Sequence, residues 1–102
     1  MIRLIDIADV LRSKNAGPLF VTFDIMFGNK QAFDRVKNSG VLTPDLIGSI
    51  YEVDPADVSI ITYDIVTSIK ITIPRKDISG SLSDTDVYGC QQQVPLSNIM
   101  IP

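Results

Sequence analysis

Arg12, Ser13, Lys14, Asn15, Ala16 and Gly17 run together just ahead of an apolar stretch, in a chain with only nine basic residues. An arginine offers a bidentate fork and a lysine a point charge, and a Gly-ended loop can aim backbone N–H groups outward. That set suits a carboxylate, a phosphate or a CoA-type anion, with Arg12, Ser13, Lys14, Asn15 and Gly17 as the binding candidates. The plainer reading is a solvated loop in which Asn15 and Gly17 supply turn geometry, and residue types alone favour it.

A second polar segment is Ser79-Gly80-Ser81-Leu82-Ser83-Asp84-Thr85-Asp86, followed by Tyr88 and Gln91-Gln92-Gln93. Its oxygens invite a cation, yet it lacks the alternating acids, central Gly and closing Glu of an EF-hand loop, so no metal is expected. Nor does it match a phosphate loop, and no cofactor is expected. Asp84, Thr85, Asp86, Tyr88 and Gln92 are its candidates for lining a ligand cleft. The plainer reading is a helix-capping region with Asp84 or Thr85 at the cap. Were the chain a catalyst in its own right, proton transfer would fall to Lys14, Asp84, Asp86 or Tyr88.

Asp24 forms a third candidate, on a strand expected to neighbour the one that carries Lys70 and Arg75. A structural ion pair between Asp24 and Lys70 is favoured over a catalytic one. Cys90 has no basic neighbour in sequence to lower its pKa and reads as an inert thiol.

Composition narrows the chemistry further. The chain has no histidine, which removes imidazole bases, Ser–His and Cys–His pairs and the usual zinc sets. Lys+Arg total 9 against 12 Asp+Glu, a net charge of −3, and no basic stripe of the kind nucleic acids require. A single cysteine forms no internal disulfide and points to a reduced, cytoplasmic setting. No apolar run is long enough for a membrane span. Acids inside the apolar part of MIRLIDIADVLRSK argue against a signal peptide. At 102 residues, 45% of them apolar, a single domain with a buried core is expected.

The elements that position these residues follow from periodicity. Leu4, Ile7, Ala8 and Leu11 predict a short helix or helical turn, and RSKNAGP a loop, because Gly17-Pro18 is strong punctuation. LFVTFDIMF alternates and is rich in β-branched and aromatic residues, which predicts a central strand. Asn29 caps a helix over 30–38 that Asn38-Ser39-Gly40 ends. Thr43 then caps a second helix with Pro44 at its first position and Leu46, Ile47, Ile50 and Tyr51 inward. VSIITYD (58–64) and SIKITIPR (68–75) predict an antiparallel hairpin. Residues 76–86 read as a loop, 87–93 as a short helix ended by Pro95, and SNIMI as a last strand. The order predicts an α+β, ferredoxin-like two-layer sandwich of split βαβ order, with an extra N-terminal helical turn and a paired helix after the first long strand. In that sheet the two polar segments leave at one edge, so Arg12–Asn15 is expected to approach Asp84–Tyr88.

RSKNAGP before a T-x-D strand, then VK-SGVLT, IK-TIPR, SGS-x-x-DTDVYG-x-QQ and a closing I-x-IP, resembles the family called domain of unknown function 4387, almost from end to end. That family is in turn similar to the C-terminal ferredoxin-fold domain of the AtuA-like acyclic terpene utilisation proteins. There an Arg-Ser-Gly-Asp-Lys-Gly type motif follows a short helix, and Arg12, Ser13 and Gly17 match it. Two positions depart from the family pattern, Gln93 in place of His and Ser83 in place of Gly. If that His has a catalytic role, Gln93 retains only its hydrogen bonding. The resemblance implies a partner, an AtuA-like large chain.

Three functions compete at this point. The first is a small accessory subunit working with an AtuA-like large chain in acyl-CoA or small-acid catabolism, through an anion-recognising cleft. The second is a stand-alone homo-oligomeric ligand-binding or regulatory module, and the third a hydratase or lyase. The first is favoured.

Overall fold

A computed structural model of the chain describes residues 1–17, 19–74 and 94–102. Its centre is a four-stranded antiparallel sheet in the order β2-β3-β5-β4, with β2 (Val10–Asn15), β3 (Phe20–Met26), β4 (Ser59–Tyr63) and β5 (Ser68–Pro74). β5 is antiparallel to both β3 and β4 and lies between them, so β3 and β4 run parallel with a strand inserted. The α+β expectation holds, and the first and third predicted strands are neighbours as anticipated.

Alternation builds the sheet. In β3, Val21, Phe23 and Ile25 turn to one side; in β5, Ile69, Ile71 and Ile73 do the same, and all six are buried. Burying a side chain of this size contributes about 1.5–3 kcal/mol, so these two strands anchor the core. The paired helix fills the β3–β4 crossover. Asn29 accepts the Ala32 N–H at 2.8 Å to start α2 (Lys30–Ser39), and Gly40 ends it with φ +69°. Thr43 accepts the Leu46 N–H at 3.1 Å to start α3 (Pro44–Tyr51), with Pro44 in its first turn. Phe33 and Val36 of α2 and Ile47 of α3 join the β3 and β5 side chains in one buried cluster. Ring contacts seal this layer: Phe27 meets Phe33 edge-on at 5.9 Å, and Phe23 meets Tyr51 at 5.0 Å.

Three predicted elements differ. The helix expected over 4–11 is one turn, α1 (Leu4–Ile7), and Val10 and Leu11 belong to β2. Residues RSKN are not loop but strand, paired with β3 from Val10↔Met26 to Asn15↔Val21. Hydrogen bonding to β3 overrides weak local preference there, and only the tight turn after Asn15 survives of the predicted loop. In that turn Gly17 takes φ +80° and the Ala16 N–H donates to the Phe20 carbonyl at 2.9 Å. The last strand shrinks to β6 (Met100–Ile101) and leaves the main sheet, pairing with β1 (Ile2–Arg3). Pro95 lies inside a helical turn, α4 (Val94–Ser97), a position where the missing N–H costs nothing. The predicted loop at 76–86 and helix at 87–93 lie outside the described residues.

Candidate functional site

Helices cover one side of the sheet, and among the described residues none covers the other. The register aligns three rows across this open face: Val10–Met26–Ser68–Tyr63, Arg12–Asp24–Lys70–Ile61 and Lys14–Thr22–Thr72–Ser59. Among the described residues the face therefore carries three cations, Arg12, Lys14 and Lys70, and one carboxylate, Asp24. Its edges hold half-exposed apolar side chains, among them Phe20, Ile61 and Tyr63.

Asp24 is the pivot. Its carboxylate is 13% exposed, and its Oδ2 stands 3.5 Å from Arg12 Nε. Lys70 is its register partner on the other side, but the ion pair forms with Arg12 and not, as expected, with Lys70. The Arg12 side chain stays 58% exposed, so its outer guanidinium nitrogens face water and can meet a ligand. Among the described residues Lys14 and Lys70 enter no ion pair. Lys14 follows Arg12 on the same face about 7 Å along the strand, and Lys70 lies two strands over, about 10 Å across. Thr22 and Thr72 hydroxyls, 3.4 Å apart, sit between them, Thr22 buried at 5% exposure and Thr72 half-buried. Such a set of cations, with the Thr72 hydroxyl beside them, is chemically fit for a carboxylate or phosphate.

Strand geometry also divides the RSKNAG motif. Arg12 and Lys14 lie on the open face, whereas Ser13 is buried on the helix side and Asn15 shares that side. Arg12 and Lys14 thus stand apart from Ser13 and Asn15, because a period of two sends neighbours to opposite faces. Gly17 serves the turn. Asp84, Thr85, Asp86, Tyr88 and Gln92 lie outside the described residues, as do Arg75, Ser83, Cys90 and Gln93, and with them the expected approach of Arg12–Asn15 to Asp84–Tyr88. The described chain does place the start of that segment: β5 ends at Pro74 opposite Phe20, at the same end of the sheet as the β2–β3 turn.

Lys70, Thr22 and Thr72 were absent from the anion-binding candidates taken from sequence. The signal was present in the polar side of SIKITIP, but nothing joined it to Arg12 and Lys14 until residues 10–15 became a strand.

Two other features are set apart from this face. A mostly apolar groove is lined by Val41, Leu46, Ile50, Pro95, Ile99 and Met100, with Asn98 as its polar side chain among the described residues. Tyr51, on the helix side, accepts the Leu96 N–H at 3.2 Å, and burial pushes its phenol well above the usual tyrosine range, with that hydrogen bond opposing the shift. It is a structural clasp between α3 and α4.

A family model described as a domain of unknown function (DUF4387) matches residues 4–100, a span that contains every strand of the main sheet. The chain belongs to the DUF4387 family. No curated protein and no solved structure matches it. In this DUF4387 chain, no group of three or more His, Cys, Asp or Glu among the described residues is placed to hold a metal ion. Nor is any described helix long and apolar enough to cross a membrane.

Proposed function

We propose that this DUF4387 protein is a small accessory subunit whose open sheet face recognises an anionic group, a carboxylate, phosphate or CoA-type anion. Its partner would be an AtuA-like large chain in cytoplasmic acyl-CoA or small-acid catabolism. The observation that carries the anion reading is charge placement. Arg12, Lys14 and Lys70 share one face, and among the described residues only Asp24 opposes them there, in a chain whose net charge is −3. A net-positive face on an acidic chain concentrates anions where, among the described residues, no helix covers the sheet. The partner rests on the resemblance of Arg12, Ser13 and Gly17 to the AtuA-type motif.

The test is calorimetric titration of the pure chain with acetyl-CoA and, separately, with inorganic phosphate, beside a pull-down from the native cell. Saturable binding that falls at least tenfold in Lys14→Ala and Lys70→Ala, with an AtuA-like chain recovered in the pull-down, supports the proposal. Binding that both substitutions leave unchanged, or no binding at millimolar ligand, overturns the anion reading. A pull-down without such a chain overturns the partner.

A further inference from the structure

The main sheet has two edges, and they are built differently. The β2 edge exposes Arg12 and Lys14, the charged blunting that keeps an edge from pairing with another chain. The β4 edge reads Ser59-Ile60-Ile61-Thr62-Tyr63, with no charge, proline or glycine, and among the described residues no strand pairs with its outer side. Ile61 is 46% and Tyr63 42% exposed, and the turn that follows leaves Ile65 fully exposed and Val66 at 62%. Unpaired backbone and apolar side chains thus coincide on one edge.

We infer that β4 pairs antiparallel with β4 of a second copy of this chain, joining two sheets into one of eight strands. Self-pairing centred on Ile61 sets Ile61 against itself, Ser59 against Tyr63 and Ile60 against Thr62. All five residues are neutral, so no like charges meet. In the same register Asp57 falls opposite Ile65 and Asp64 opposite Val58, so the flanking acids face apolar residues rather than each other. A face-to-face dimer would instead press Arg12, Lys14 and Lys70 against their own copies. The two-fold axis of an antiparallel edge pair stands perpendicular to the sheet, which keeps both basic faces open on the same side. This inference does not depend on the anion reading. A five-residue edge buries less than a standard interface, so a weak, concentration-dependent dimer is expected.

Sedimentation velocity of the pure chain from 1 to 300 µM tests it, with hydrogen exchange on β4. Ile61→Glu places a carboxylate beside Lys70 of its own strand pair, which favours the fold, and against its own copy across the two-fold, which opposes the dimer. The expected results are a concentration-dependent wild-type dimer and a folded Ile61→Glu monomer. Mixing that monomer with Ile61→Lys should restore a dimer. Amides on the outer side of β4 should gain protection as wild-type concentration rises. A wild-type monomer throughout, or a dimer that Ile61→Glu leaves intact or that Arg12→Glu alone abolishes, would overturn the inference. So would β4 protection that does not change with concentration.

Discussion

Arg12 and Asp24 face each other across β2 and β3, with Nε 3.5 Å from Oδ2, the carboxylate largely covered and the guanidinium largely exposed. The asymmetry matters. Asp24 orients the fork while most of the arginine remains available, so the pair holds a cation on the face and does not consume it.

Breaking this pair should cost little stability and more binding. The Arg12 side chain is over half exposed, and such pairs contribute at most about 1 kcal/mol. Arg12→Ala is expected to lower Tm by only a few degrees in scanning calorimetry while weakening acetyl-CoA binding. Asp24→Asn should retain the fold and raise affinity for the anion, since the one opposing charge among the described residues is gone. A fall in affinity with Asp24→Asn would show that orientation of Arg12 outweighs that repulsion.

Gly48 should tolerate no side chain. A Cβ there would stand 2.7 Å from the Val53 carbonyl oxygen and 3.2 Å from the Pro55 ring, so backbone must move. Gly48→Ala gains about 1 kcal/mol of helix propensity but is expected to lose more to the clash. The net effect is about 1–3 kcal/mol of destabilisation, read by urea denaturation.

Loss of either helix cap should be felt globally. Asn29→Ala and Thr43→Ala each remove the acceptor for a first-turn N–H, at a cost of about 1 kcal/mol. The sites belong to different helices, so the double variant is expected to show additive losses. Asn29→Asp should be nearly neutral, because the carboxylate oxygen accepts the same bond.

Tyr51 gives the fold an alkaline limit. Burial raises its phenol above the ordinary value of 10.0, so the folded chain holds that proton where the unfolded chain releases it. The unfolded state then binds fewer protons, and stability falls as pH rises beyond about 10. Below that pH the contribution is complete. Tyr51→Phe is expected to flatten this decline in Tm between pH 9 and 11. At pH 7 it should lower Tm, because the Leu96 N–H loses its acceptor.

Much of this architecture is written in local pattern. The strict alternation of LFVTFDIMF and SIKITIP, the Asn29 and Thr43 caps, and the Gly40 stop specify β3, β5, α2 and α3, because each signal acts within a few residues. The inward positions Phe23, Ile25, Phe33, Ile47 and Ile71 were legible for the same reason, as was a cationic partner for Asp24, though not which one. Residues 10–15 carry no such signal. Val10 and Leu11 supply apolar side chains at one end only, and Arg12-Ser13-Lys14-Asn15 suits a loop as well as a strand. Their strand state comes from backbone hydrogen bonding to β3, at a sheet edge where one face meets water and tolerates charge. Only that tertiary pairing sends Arg12 and Lys14 to the open face with Lys70, turns Ser13 the other way, and moves β6 from the main sheet to β1. Which residues are cationic belongs to the sequence; which cations share a surface was decided by strand register, since a pleat places alternate residues on opposite faces.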